Sequence, residues 1–169
     1  LLLLLKQWAC PFCRATQTLN RHSKLYGNDP LSSDGCLARG QRVWCSNRGQ
    51  RGGCGRSFSL FLADILPRHT VGASWLWQWL IQRLAGLSLP AAAQAAKAPF
   101  ALETFYRLDR KLRHGLARLR TFLCGLSQPP DSSQADPLLQ TVEHFQRAFP
   151  ESPCPAADFQ LSFQRPLLG

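Results

Sequence analysis

The sequence predicts a small α+β protein, in which short antiparallel strands come first, an all-α unit follows, and a short, poorly ordered tail ends the chain. Two pairs of cysteines in the first sixty residues predict a sheet organised by a metal ion. Apolar residues spaced by three and four positions predict the helices, and a composition rich in Pro and Ser predicts the tail. We therefore divide the 169 residues into the regions 8–62, 71–126 and 127–169.

The first pair of cysteines has the spacing of metal ligands. Cys10 and Cys13 are separated by two residues, and a Cys-x2-Cys turn directs both thiolates to one side. Cys45 and Cys54 are predicted to supply two more ligands, although eight polar and glycine residues lie between them. Closing the longer loop costs only about 1 kcal/mol more than closing a short one. Because four thiolates in a tetrahedron suit Zn²⁺, we predict a structural zinc ion and a zinc ribbon.

Alternatives remain open for these thiols. Cys36 could replace Cys45 as the third ligand or lie beside the site. The cysteines could also be buried free thiols, or could form disulfides, although seven is an odd number and no cleavable secretory segment precedes them. Cys124 and Cys154 have no partner at ligand spacing, so we expect them to be structural or incidental.

The start of the chain is apolar over five residues only. The run from Leu1 to Leu5 is too short to span a bilayer, and no small-residue cleavage site follows it. We expect no membrane association and a cytoplasmic location. Methionine is absent even at position 1, so the chain begins at a non-ATG codon or is a fragment of something longer.

Positive charge is concentrated in the first two regions. Residues 1–60 carry nine Lys and Arg against two acidic residues, and residues 61–125 carry nine against three. Residues 126–169 carry two against five. Since cations that neutralise phosphates give sequence-independent affinity, this distribution predicts binding to double-stranded DNA rather than charge that serves solubility alone. The candidate contacts near the second cysteine pair are Arg48, Arg51 and Arg56.

Three helices are predicted in the second region. The first, residues 73–85, is apolar around most of its circumference and must be covered on several sides. The second, residues 89–97, begins after the capping residue Ser88 and ends before Pro99. The third, residues 102–124, has one apolar face and one basic face.

This order of two short helices and a longer basic one matches a helix-turn-helix, whose last helix enters the major groove. A generic three-helix core with a solvated basic face is the alternative. The candidate DNA contacts on the third helix are Glu103, Thr104, Arg107, Arg110, Lys111, His114 and Arg118.

The remaining sequence predicts a linker, one short helix and no catalytic site. Residues 127–134 have linker composition, and residues 137–149 form the short helix. We recognise no Ser/His/Asp set, phosphate-binding glycine loop or dinucleotide fingerprint. The four histidines are scattered along the chain. We therefore expect no enzymatic activity.

Together, four short motifs resemble the N-terminal zinc ribbon of insertion-sequence transposases and related mobile-element proteins. They are Cys10-Pro-x-Cys13, the segment 21–26, Arg-Val-Trp-Cys at 42–45, and Cys-Gly-Arg-Ser-Phe at 54–58. The helix-turn-helix is similar as well, so the resemblance covers about residues 8 to 124. It implies zinc ligation by the four cysteines and DNA contact by the basic residues around them. The eight-residue spacing and Ser23, where glycine is common, depart from the pattern.

The resemblance implies a DNA-binding protein of a mobile element without its own catalytic domain. Transposase chemistry requires three carboxylates that hold two divalent ions on a ribonuclease-H-like fold, and only 43 residues follow residue 126. Two alternatives are the truncated N-terminal part of a transposase and a zinc-ribbon module that docks a protein. A transposase or a second copy of the chain is the further partner expected.

Overall fold

The computed structural model describes residues 2–28, 35–49 and 52–168, and its α+β class confirms the prediction. The chain forms two compact units, Leu1–Leu62 and Ala63–Gly169. The first unit contains α1 (Leu2–Gln7), β1 (Leu19–Asn28), β2 (Cys36–Cys45) and β3 (Ser57–Phe61). The second unit contains α2 (Ala73–Leu84), α3 (Leu89–Ala95), α4 (Leu102–Cys124), α5 (Pro137–Ala148) and α6 (Pro155–Phe163). No helix among the described residues is long and apolar enough to cross a membrane.

The three strands form one antiparallel sheet with β2 in the centre. β1 and β2 pair over their whole length, so that Leu19 lies opposite Cys45 and Asn28 opposite Cys36. β3 pairs with the second half of β2, where Phe58 faces Val43. β1 and β2 have ten residues each and are longer than predicted. The halves of β1 and β2 nearest to Asn28 and Cys36 are mostly exposed on both faces. The sequence therefore shows no alternation of apolar and polar residues there.

A small apolar core lies on one face of this sheet. Its five fully buried residues are Leu5, Cys10, Leu19, Val43 and Cys45. Leu5 belongs to α1, and the adjacent Lys6 donates a hydrogen bond to Asn20 Oδ1 at 2.8 Å. The leucine-rich start therefore contributes to the first unit, which we had predicted to begin at residue 8.

The second unit is built around α2. Trp79 is fully buried and its ring centroid lies 5.6 Å from that of Phe105 on α4. Trp77 lies 6.0 Å from Phe145 on α5. α3 begins where predicted, because the Ser88 hydroxyl accepts a hydrogen bond from the backbone N–H of Ala91.

The segment after residue 126 is not the poorly ordered tail that we predicted. Phe145 of α5, Phe159 of α6 and Leu167 beyond it are buried in the same core as α2 and α4. Helix α2 is apolar on most sides, and α5 and α6 supply cover for it in addition to α3 and α4. The Pro-rich sequence concealed α6, whose Pro155 occupies the first turn, where proline is compatible with a helix.

Replacing Phe159 with Ala should destabilise the helical unit. Its side chain is 1% exposed and its ring contacts those of Phe122 and Phe145 at 5.9 and 5.4 Å. We expect the substitution to lower the free energy of unfolding by about 3–5 kcal/mol, measured by denaturant titration of the helical circular dichroism signal. Leu161→Ala is the matched control, because Leu161 also lies on α6 but is 59% exposed. Equal effects of the two substitutions would contradict the packing of α6 described above.

Candidate metal centre

Four cysteine sulfurs converge at one end of the sheet. The Sγ atoms of Cys10, Cys13, Cys45 and Cys54 all lie within 4.8 Å of one another. The Sγ to Sγ distance is 3.8 Å from Cys10 to Cys54 and 3.7 Å from Cys13 to Cys45. A disulfide requires about 2.05 Å, and all four thiols are free. Sulfurs placed about 2.3 Å from a tetrahedral ion lie about 3.8 Å apart, so this spacing fits metal coordination.

Both cysteine turns are closed by the same backbone arrangement. After Cys13, Arg14 has a φ of 64° and its N–H donates to the Cys10 carbonyl at 2.9 Å. After Cys54, Gly55 has a φ of 73° and its N–H donates to the Cys45 carbonyl at 3.0 Å. The residue after the second cysteine thus takes a left-handed conformation in each turn. The insertion of eight residues between Cys45 and Cys54 therefore leaves the geometry of the turn unchanged.

Two polar groups lie against the sulfur of Cys45. The backbone N–H of Cys54 donates to Cys45 Sγ at 3.3 Å, and Thr18 Oγ1 lies 3.2 Å from the same sulfur. Thr18 is itself buried. The N–H of Cys54 stabilises the thiolate of Cys45 and orients it toward a metal.

The environment of the cluster separates the pKa values of two of its thiols. Burial opposes ionisation of Cys10, but the backbone N–H groups of Cys13 and Phe12 and the thiols of Cys45 and Cys13 lower its pKa to about 7. A hydrogen bond from the Arg56 backbone favours the thiolate of Cys54, yet burial and the three neighbouring sulfurs raise its pKa to about 11. Without a cation, the cluster therefore keeps at least one proton at neutral pH.

The structure decides between Cys36 and Cys45. Cys36 is exposed and begins β2, where it pairs with Asn28, whereas Cys45 ends the same strand. Nine steps of extended chain along β2 separate their Cα atoms by about 30 Å. Cys36 therefore does not replace Cys45 in the cluster, because the register of the hairpin places it at the opposite end of the sheet.

The predicted basic contacts near the cluster lie against aromatic rings. The guanidinium of Arg48 lies 5.4 Å from the ring centroid of Trp44, and that of Arg56 lies 5.3 Å from the ring centroid of Phe12. Arg51 falls outside the described residues. The sequence analysis used Trp44 and Phe12 only as parts of the cysteine motifs and gave neither ring a role at the surface.

The predicted contacts on α4 have different environments. Arg107, Arg110, Lys111 and His114 are exposed and, at 100° per residue, lie on one side of the helix. Glu103 is exposed, and Thr104 is partly buried, in the first turn. Lys111 Nζ lies 3.2 Å from His69 Nε2. Arg118 is partly buried and donates to the Leu167 carbonyl at 3.1 Å, so the end of the chain covers this part of the basic face.

Arg113, which the sequence did not single out, joins α4 to the start of α5. It forms ion pairs with Asp109 and Asp136, each at 2.7 Å. Asp136 also caps α5 by accepting a hydrogen bond from the N–H of Leu138. The bonds from Arg113 lower the pKa of Asp136. Some of the positive charge on α4 therefore serves packing between helices.

Comparison of the chain with protein-family models, with curated proteins and with solved structures finds no match. The four cysteines and the distribution of charge are therefore the observations from which a function has to be inferred. The sequence analysis had already identified both features.

Replacing Cys13 with Ser should abolish metal binding and unfold the first unit. The change removes one of four converging sulfurs and leaves a hydroxyl that is a poor ligand for a thiophilic metal. Metal analysis of protein purified without chelator, together with the absorption bands of the cobalt-loaded form, measures the effect. Cys36→Ser is the matched control and should retain one metal ion per chain. Loss of metal in both variants would contradict the assignment of Cys36 outside the site.

The affinity of the site for Zn²⁺, used as a probe, should fall as the pH falls. The metal displaces the proton of Cys54, whose pKa is about 11, so we expect at least a tenfold loss of affinity per pH unit. The slope should steepen below about pH 7, where Cys10 also binds a proton. Competition titrations against a chelator of known pH dependence give this slope. A slope of zero between pH 6 and 8 would show that the thiols are not the ligands.

Proposed function

We propose that this is a DNA-binding protein in which a structural zinc ion holds the ribbon and basic surfaces contact the phosphates of double-stranded DNA. One observation carries the proposal. None of the described residues of the first unit is acidic, whereas eight of them are Lys or Arg. Asp29 and Asp34, the two acidic residues of that unit, fall in the segment 29–34 outside the described residues. A surface with this charge attracts a polyanion and releases its counterions.

Zinc is the metal that these ligands favour. Four thiolates select soft or borderline ions, and Zn²⁺ accepts them in a tetrahedron without redox chemistry. Four protein ligands fill that tetrahedron and leave no position for water or substrate. We therefore assign the ion a structural role and propose that the protein is not an enzyme.

The exposed face of α4 is the second part of the proposed DNA surface. Arg107 and Arg110 are exposed near the start of the longest helix, which follows α3 after six residues. This order is that of a helix-turn-helix, in which the start of the last helix reaches the bases of the major groove. The zinc ribbon, the helix-turn-helix and the DNA contacts on both are parts of the same proposal.

The cysteine motifs support a role with a mobile element. Their resemblance to the zinc ribbons of insertion-sequence transposases favours a cytoplasmic DNA-binding protein that works with a transposase or a second copy of itself. The N-terminal part of a transposase would bind DNA in the same way. A module that docks a protein would bind DNA weakly, and its binding would lack the steep salt dependence that counterion release produces.

Arg107→Ala and Arg110→Ala should weaken DNA binding without lowering the thermal stability of the protein. Both side chains are exposed, so no packing is lost. A phosphate contact should lower the salt slope by about one unit for every sequence, whereas a base contact should cost about 1–3 kcal/mol on the preferred site alone. Fluorescence anisotropy of a labelled duplex at several salt concentrations measures both effects.

Arg118→Ala is the matched control on the same helix. It removes the same charge, but it also removes the hydrogen bond to the Leu167 carbonyl. We expect this variant to lose thermal stability and to change DNA affinity less than the other two. If neither Arg107→Ala nor Arg110→Ala changes affinity or salt slope, α4 is a scaffold and DNA binding rests on the ribbon.

A further inference from the structure

The sheet of the first unit has a second face, opposite its small core. Val43 points into the core, and strand alternation places its neighbours Arg42 and Trp44 on the other side. Arg42 Nε donates a hydrogen bond to Ser57 Oγ at 3.3 Å, which places Ser57 there as well. In the register of the sheet, Trp44 stands between Asn20 of β1 and Ser57 of β3. We call this surface, defined by Asn20, Arg42, Trp44 and Ser57, the outer face.

Trp44 has a fixed orientation on the outer face. Its Nε1 donates a hydrogen bond to the Gly55 carbonyl at 3.1 Å, and Gly55 directly follows the ligand Cys54. The neighbours of Trp44 across the sheet, Asn20 and Ser57, are small polar residues. Trp44 is partly exposed. Its large ring is held by a hydrogen bond to the turn after Cys54, and its neighbours across the sheet are polar. A tryptophan that served only the core would lie on the other face.

Three cations lie on the outer face or bond to its residues. Arg48 lies over it at 5.4 Å from the centroid, and Arg42 is two residues from it along the same face. Lys6 Nζ lies 2.8 Å from Oδ1 of Asn20, the residue paired with Trp44. The described part of this unit contains no carboxylate that could neutralise them. The outer face therefore combines one aromatic platform with a positive rim.

We propose that the outer face binds single-stranded DNA, with an unpaired base stacked on Trp44 and adjacent phosphates held by Arg42, Arg48 and Lys6. The base takes the place of the Arg48 guanidinium on the ring, and Arg48 turns to a phosphate. Stacking on an aromatic side chain tolerates every base, because each base has a π face. A base pair inside a duplex has both faces covered by its neighbours, so a paired base does not reach the ring. This inference rests on the proposed DNA-binding function and extends it: the basic residues of the ribbon contact phosphates of either form of DNA, and an unpaired strand adds stacking on Trp44.

The test compares three probes of equal length with the zinc-loaded full chain: an oligothymidine, an abasic phosphodiester and a duplex. We expect oligothymidine to bind more tightly than the abasic probe, since both carry the same phosphates but only one can stack. Trp44→Ala should weaken oligothymidine binding roughly fivefold to 150-fold, which corresponds to about 1–3 kcal/mol per stacked base. The same variant should bind the abasic probe as the unaltered protein does.

Two further variants separate stacking from folding. Trp8→Ala is the matched control, because Trp8 is 48% exposed in the same unit and lies outside the outer face; it should leave all affinities unchanged. Trp44→Phe loses the hydrogen bond to Gly55 but keeps a ring, so it should retain most of the preference for oligothymidine. Tryptophan fluorescence quenched by oligothymidine in the unaltered protein should lose that quenching in Trp44→Phe, a result that holds even if Trp44→Ala fails to keep its metal.

The outcomes distinguish this inference from the DNA-binding function on which it rests. Equal affinity for oligothymidine and the abasic probe, or quenching that persists in Trp44→Phe, would overturn stacking on Trp44. DNA binding would stand in that case if the duplex still bound. If none of the three probes binds at physiological salt, the proposed function itself fails.

Discussion

The first unit depends on the convergence of four sulfurs. Five fully buried residues form its core, and two of them, Cys10 and Cys45, belong to the cysteine cluster. A core of this size buries far too little apolar surface to offset the conformational entropy of ordering three strands. A metal ion held by all four thiolates would contribute its binding free energy to folding and would connect the chain before β1 to the end of β2 and to the segment that leads into β3. The placement of Trp44 and of the nearby arginines follows from the same turns.

The second unit uses its charged residues in two ways. Arg113 and Arg118 bond to Asp136 and to the Leu167 carbonyl, so they connect α4 to the rest of the unit. Arg107 and Arg110 are exposed on the same helix. Composition alone does not distinguish these four arginines. Their contacts do: the first two stabilise packing between helices, and the other two remain accessible to a phosphate. The proposed DNA surface is therefore smaller than the net charge of the helix suggests.

Local patterns were sufficient to predict much of this molecule. The bounds of α4 agree with the prediction, because an apolar stripe runs along the whole helix and the sequence shows where that stripe begins and ends. The spacing of Cys10 and Cys13 identified one half of the cluster, whereas the eight residues between Cys45 and Cys54 left Cys36 open as an alternative ligand. What the sequence could not supply depends on residues far apart in the chain: the hairpin register that separates Cys36 from Cys45, the aromatic contacts that bury Phe159, and the end of the chain that covers Arg118. Proline-rich composition also concealed α6, since proline in a first turn looks like a helix breaker.

In a short metal-binding turn, the residues between the two ligands both close the turn and form its exposed surface. Between Cys45 and Cys54, these two tasks fall on different residues. The turn closes through hydrogen bonds of Gly55 and Arg56 with the backbone of Cys45, and neither residue belongs to the inserted segment. At the base of the loop, Gly53 approaches the Ser46 carbonyl so closely that a side chain would not fit. The inserted residues that take no part in closing the turn therefore lie between Ser46 and Gly53. A change in the length or the sequence of this segment should therefore leave the positions of the four sulfurs unaltered.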